Sequence, residues 1–470
     1  MRPFVFSLFL FCTSLPLGGA PFVEPTDLPE AGFVQLRQID GTWWFLSPEG
    51  EPFVSIGVNH VEPHLWLAPY NRDTTLKRYG SDLIDPDGHF DTGSAAAAKW
   101  INRQVKIIDG LHFNSFGVHT HESIDPGLYR DQVYHLARLN TAPLAGWRER
   151  NGEGPRPDLF SEDFRRFLER RVEAITSEHK DSRKLLGYVY TDIPRWVLGR
   201  NDQKALGETV MIYPWVNAIL ALGQESPGKQ RWLELLRERY PSPAAAAETW
   251  GLSVSPTYGI SWSRMARLVD WTKPTNARKA DADMVAFLHL IAERWYSLHR
   301  EVLLQHDPNH LIFGDKQMIN LKHSWVIEAL KNHVDAICVQ TYGRWADDGP
   351  VMAELYRLTG KPIFNGDGCY AYAQPEQKEW GVKGLRTGAR SVAEVAKFYQ
   401  ETLEGMMAAP HIIGWHHCGY LQQWDRAERG DSPMNENGFL DPFEKPWTQW
   451  TDVIREANAR AEDLHQDAKP

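Results

Sequence analysis

Gly187-Tyr188-Val189-Tyr190-Thr191-Asp192-Ile193-Pro194-Arg195-Trp196 begins as a β-branched and aromatic run and ends in polar and aromatic residues. Lys361-Pro362-Ile363-Phe364-Asn365-Gly366-Asp367-Gly368 and Ile412-Ile413-Gly414-Trp415-His416-His417 repeat the pattern. Short apolar runs of this kind read as buried strands. In a (β/α)8 barrel, reactive groups stand at the C-terminal ends of such strands. Two of the three endings carry a carboxylate, Asp192 and Asp367. Two carboxylates flanking one bond are what glycoside hydrolysis requires.

Working outward, the pattern recurs eight times. Gln35–Gly57 reads as an entry hairpin, with a turn at Pro48-Glu49-Gly50-Glu51-Pro52. The barrel strands are expected at 53–60, 113–121, 133–136, 186–190, 311–315, 334–340, 362–365 and 412–415. Between them lie helical periods. Ile101, Val105 and Ile108 share a face, and Phe164, Phe167, Leu168, Val172 and Ile175 follow a cap at Ser161. Strand–helix alternation predicts an α/β fold, a (β/α)8 TIM barrel of parallel strands with right-handed crossovers. It carries an N-terminal β-hairpin and a helical insertion after strand four. The expected division is a signal peptide at 1–20, a hairpin segment at 21–52, a catalytic barrel at 53–464 that includes the insertion at 197–278, and a tail at 465–470.

Taken in order, several motifs resemble the β-agarase family of clan A glycoside hydrolases and, more loosely, the β-galactosidases of that clan. They are Gly41-x-Trp43-Trp44 leading to Gly57-Val58-Asn59-His60, Leu111-His112-Phe113-Asn114-Ser115-Phe116-Gly117, and Leu235-Leu236-Arg237-Glu238-Arg239-Tyr240 followed by Trp250-Gly251. Asp307-Pro308-Asn309-His310-Leu311 and Asn437-Gly438-Phe439-Leu440-Asp441 complete the set. The resemblance runs from about Gln35 to Trp447. It implies a hydrolase acting on a β-linked polysaccharide or oligosaccharide, most closely an agarose-like or other algal galactan. The family ends strand four in Asn-Glu and strand seven in Glu. Here Asp192 takes the Asn position, Ile193 the acid/base position and Asp367 the nucleophile position. The resemblance implies Asp367 as nucleophile or base, and an acid/base that is either displaced by one residue or lost; Asp192 is expected as the acid, with Glu62, Asp315 or Glu436 as its substitute if Asp192 fails. Asp is one methylene shorter than Glu, so the gap between the carboxylates is expected to widen.

The strand ends also gather groups suited to reading sugars. Asn59, His60 and Gln340 offer hydrogen-bonding atoms of the kind that read hydroxyls. Tyr342, Trp345, Tyr370 and Trp415 offer rings for stacking in a chain of 19 Trp. His119 and His121 alternate after strand two, which on a strand puts both imidazoles on one face, and His416 follows Trp415. Two rivals remain open: a carbohydrate-binding barrel that has lost catalysis, and a metal-dependent barrel hydrolase using His119 and His121. No metal or other cofactor is expected.

Residues 1–20 carry Arg2, an apolar run from Phe4 to Leu17 and the small residues Gly18-Gly19-Ala20. This is the pattern of a secretory signal peptide, so a periplasmic or extracellular protein is expected. The apolar run is shorter than the ~20 residues of a spanning helix, and no membrane span is expected. Losing Arg2 takes the net charge from −10 to −11, which argues against nucleic acid as a partner. The oligomeric state is left open. Beyond the leader stand Cys338, Cys369 and Cys418, an odd number near the strand core, expected to be buried small residues.

Overall fold

The chain enters through an antiparallel sheet of β1 (Gln35–Ile39), β2 (Thr42–Leu46) and β3 (Pro52–Phe53). In the computed structural model, residues 32–141, 156–192, 194, 196, 213–268, 274–319, 324–372, 389–423 and 437–469 are described. Eight parallel strands then close on themselves in sequence order. They are β4 (Ser55–Val58), β5 (Ser115–Phe116), β6 (Tyr134–Arg138), β7 (Leu185–Asp192), β8 (Leu311–Met318), β9 (Ile337–Gln340), β10 (Ile363–Gly368) and β11 (Ile412–His417). The last pairs back onto the first, Gly414 beside Ser55 and His417 beside Val58. Each strand falls within or overlaps the segment expected for it.

The barrel interior is filled by Val118, Leu136, Leu186, Val189, Phe313, Ala336, Cys338, Phe364 and Ile413. Phe45 of the hairpin joins this cluster, its ring 6.3 Å from both Phe313 and Phe364 and 5.4 Å from Phe53. The hairpin therefore plugs the barrel at the end opposite the C-terminal ends of its strands. Helices ring the outside. Those at Ala95–Asp109, Glu162–His179 and Val392–Met407 start at Ser94, Ser161 and Ser391, whose hydroxyls each accept a backbone N–H three residues on.

Two irregularities decide which side chains face the site. Along β8, neighbouring residues of β7 pair with Ile312 and Gly314, so Phe313 is an extra residue in the ladder. Gly314 has φ 68, a left-handed conformation glycine adopts without a Cβ clash. Beyond this bulge the alternation inverts. Asp315 turns outward to Trp295, and Lys316 turns inward. In β11 the ladder with β10 skips from Ile412 to Gly414. A Cβ on Gly414 would lie 2.3 Å from the Ser55 carbonyl. Ile413 and His416 face inward, while Trp415 and His417 pack outward.

The insertion after β7 is helical, with elements at Pro214–Ala221, Pro227–Arg239, Pro243–Thr249 and Trp262–Leu268 before the long helix Pro274–His306. The buried Asp283 of that helix pins it: Arg239 Nε and the Tyr240 hydroxyl donate to it at 2.5 and 2.6 Å, and Trp250 Nε1 at 2.8 Å.

Candidate active site

Asp367 ends β10 inside the C-terminal mouth and is 2% exposed. A bare buried carboxylate is costly unless it is paired and hydrogen-bonded. Asp367 is both. Asn59 Nδ2 donates to Oδ1 at 3.0 Å, while Lys316 Nζ and the Tyr342 hydroxyl donate to Oδ2 at 2.5 and 3.2 Å. His119 Nε2 lies 3.3 Å from the same oxygen. Burial alone would raise the carboxyl pKa. Lys316, followed by His119, outweighs it and holds the group well below the usual carboxylate range. Asp367 is thus held as an anion near pH 7.

Asp192 ends β7, which β8 and β9 separate from β10 around the barrel. Lys316 Nζ reaches its Oδ1 at 3.2 Å and Asp367 at 2.5 Å. Both links end on one nitrogen, which keeps those two oxygens within about 6 Å. That is close to the ~5–5.5 Å at which a second carboxylate attacks directly, and short of the ~6.5–9.5 Å that admits a water between. Lys316 bridges the two carboxylates across the gap that two Asp residues were expected to widen. Burial disfavours the Lys316 charge, but Asp192 and Asp367 raise its pKa above the ordinary lysine value.

Two stacked imidazoles flank this triad, His60 over His119 at 4.8 Å between centroids. His119 lies between Arg138 Nη1 at 3.1 Å and Lys316 Nζ at 2.6 Å. Burial and Lys316 push its pKa down to about 4, so the ring is neutral near pH 7. His60 is the opposite case. Burial works against its charge, but the Glu62 carboxylate 2.8 Å from Nδ1, together with Cys418, raises its pKa well above the ordinary value. Glu62 in turn falls to about 2. His60 has φ 64, a left-handed backbone that costs a non-glycine residue ~1–3 kcal/mol and is kept where the surroundings impose it. Its Nε2 meets Cys418 Sγ at 3.5 Å. Burial raises the Tyr342 phenol well above its usual pKa, followed by the effect of Asp367, so it stays a donor.

No family model matches the chain. Two curated relatives align along it. β-Agarase B of Vibrio sp. (strain JT0107) is 19% identical over 92% of this chain and 48% of its own length. β-Agarase A of the same strain is 20% identical over 94% and 47%. The chain is similar in sequence to these two β-agarases. It spans about half the length of these curated relatives. Among solved structures, an agarase, AgWH50C, superposes with a TM-score of 0.69 at 18% identity, covering 93% of this chain and 66% of that one. PfGH50B superposes at 0.71 and 18%, covering 94% and 68%. Likeness at this identity concerns the fold: a barrel and its elaborations over nearly all of the present chain.

Within the barrel, the expected residues separate into two groups. Asp192, Asp367, Asn59, His60, His119 and Tyr342 come together around Lys316. The others stand elsewhere. The second barrel strand spans only Ser115–Phe116, so the alternation expected to bring His119 and His121 to one face does not extend to them. His121 turns out, its Nδ1 2.8 Å from the Ser123 hydroxyl, and the His119–His121 metal pair does not form. Trp415 is 1% exposed and packs 4.7 Å from Tyr399 on an outer helix, which leaves no open face for a sugar. Tyr370 is also buried, its hydroxyl donating to the Gly343 carbonyl at 2.9 Å and contacting Thr402. Trp345 starts the helix Trp345–Thr359 and packs against Gly349 and Gly405.

His416 points into the barrel below Asp367 and hydrogen-bonds Ser55 at 2.8 Å. Burial depresses its pKa to about 3. Gln340 is buried beside Met318. Of the substitute acids, Asp315 faces away from the site, Glu62 is bound to His60, and Glu436 lies outside the described residues, as does Ile193. Sequence reading missed Lys316, Arg138 and Cys418 as members of the site. The signal for Lys316 was a lysine directly after the strand expected at 311–315.

Proposed function

We propose that the chain is an agarase-like glycoside hydrolase acting on a β-linked galactan, with Asp367 as nucleophile or base and Asp192 as acid. The observation that carries this reading is the ionised, immobilised Asp367 at the end of the seventh barrel strand, with a second carboxylate within about 6 Å on the fourth. Asn59, Tyr342, Lys316 and His119 fix the orientation of Asp367, which suits a group that must meet a reacting carbon in one geometry. The sequence relatives named β-agarases favour agarose as substrate. Export belongs to the same proposal. It is supported by the leader-like residues 1–20, and no described helix is long and apolar enough to cross a membrane. A screen of the purified protein on a polysaccharide panel, following reducing ends and product sizes, tests it. New reducing ends on agarose or a related galactan support it, and none on any polymer sinks it.

Lys316 itself favours a second reading. Its ammonium stands between the two carboxylates, where a glycosidic oxygen would have to lie, as in a carbohydrate-binding barrel without turnover. Saturable binding of a galactan with no new reducing ends would select this reading.

A further inference from the structure

We propose that Cys369 and Cys418 are a disulfide-forming pair at the rim of the site, oxidised by thiol–disulfide exchange with a small-molecule disulfide. The placement follows from strand register. β10 and β11 run parallel, and their last paired residues are Gly368 and His417. The next residue on each strand is a cysteine. The Cys418 amide donates to the Gly368 carbonyl at 2.9 Å, so the two chains are still held side by side where the thiols begin. Neighbouring parallel chains lie ~4.8 Å apart, inside the ~4.4–6.8 Å window between Cα atoms that a disulfide needs. The Cys418 thiol is influenced by Cys369 before any other group, so the two sulfurs are neighbours.

The two cysteines differ in ways that order the chemistry. Cys369 is partly exposed and Cys418 is buried, so an oxidant meets Cys369 first. The Cys369 thiolate attacks one sulfur of the disulfide RSSR. That S–S bond breaks, and the departing RS⁻ takes up the proton Cys369 released. Cys418 then gives up its proton and attacks the Cys369 sulfur of the mixed disulfide, expelling a second RS⁻ that leaves as RSH. Two thiols are oxidised and one RSSR is reduced to two RSH. Donation of the Cys418 thiol proton toward Cys369, followed by burial, raises the Cys418 thiol well above its ordinary pKa. The first step removes that hydrogen bond, which suits Cys418 to the second. Cys338, the third cysteine of the described residues, is fully buried in the barrel interior and provides an internal control.

The pair adjoins the functional groups. Cys418 Sγ contacts His60 Nε2 at 3.5 Å and the Tyr342 hydroxyl at 3.6 Å. Oxidation removes a thiol proton from between these two groups and ties the ends of the seventh and eighth strands together. The inference does not depend on the glycosidase proposal, and its test reads sulfur chemistry alone.

The full chain is incubated with oxidised glutathione, quenched with an alkylating reagent and analysed by intact mass and peptide mapping. The expected result is a species lighter by two hydrogens, with the Cys369 and Cys418 peptides cross-linked, Cys338 still alkylated after unfolding, and a higher melting temperature that reductant reverses. In Cys418→Ser, the glutathione adduct is expected to accumulate on Cys369, because nothing resolves it. The inference is overturned if the wild-type chain retains a stable adduct on Cys369 with Cys418 free. It is equally overturned if neither thiol reacts in the wild-type chain while Cys369 remains alkylatable in the native state.

Discussion

Replacing Lys316 with Met keeps the length of the side chain and deletes the charge that two carboxylates share. Lys316 is 1% exposed and lies 2.5 Å from Asp367 and 3.2 Å from Asp192. Left alone, two unit charges ~6 Å apart repel by about 3 kcal/mol at an effective dielectric constant near 20. Breaking a buried ion pair from one side costs ~3–5 kcal/mol. The expected loss at pH 7 is therefore ~3–5 kcal/mol. The pH dependence has a definite sign. The folded pKa of Asp367 is depressed, so its pairing contributes fully above the unfolded value of ~3.9 and is lost as pH falls through the folded one. The folded pKa of Lys316 is raised, so its share is full below ~10.4 and is lost only as pH rises through the folded value. In Lys316→Met, Asp367 keeps its burial without its main counter-charge and takes up a proton above ~3.9. The deficit should then be flat from about pH 5 to 10 and shrink below about 5. Denaturant unfolding of both proteins across pH 3.5–9 measures this. A loss under ~1 kcal/mol at pH 7, the worth of a surface pair, or a deficit unchanged at pH 4, would refute the bridging role.

Three further outcomes are expected. Burial raises the Asp315 carboxyl to about 7, so its contribution falls as pH rises from ~3.9 to 7, by up to ~4 kcal/mol; Asp315→Asn should flatten that slope in the stability–pH curve without changing substrate affinity. Trp415→Ala should cost ~3–5 kcal/mol of stability as a core truncation, whereas Tyr342→Phe, which loses one hydrogen bond to a charged group, should cost no more than ~3 kcal/mol while slowing turnover; melting and kinetics on the two variants separate these effects. Asp192→Asn should lose turnover of a polysaccharide but recover part of it on aryl glycosides with good leaving groups, since those need little protonation; equal rates for wild type and variant on the polymer would make Asp192 structural.

The barrel was legible because each strand is a short apolar run with a polar ending, and closure demands only that such runs recur between helices. Asp192 and Asp367 were legible because they stand at the ends of those runs. What the sequence concealed was parity. Side-chain direction alternates strictly along a strand, so one extra residue reverses every later direction. The bulge at Phe313 and Gly314 turned Asp315 away from the site and brought Lys316 into it. The irregularity at Ile413 and Gly414 sent Trp415 into the helix layer and His416 into the barrel. Neither shift leaves a composition signal beyond a single glycine. His119 and His121 failed to pair for a related reason: the strand ended at Phe116, and alternation does not extend into a turn.

The central claim is that Asp367 performs chemistry on a galactan. Its most direct test is product formation from agarose by the wild-type chain and by Asp367→Asn, with substrate binding and melting temperature followed in parallel. The account predicts oligosaccharide products from the wild type and none from the variant, which should still bind and fold because Lys316 retains Asp192 as a partner. An Asp367→Asn protein that releases the same products at the wild-type rate would contradict it.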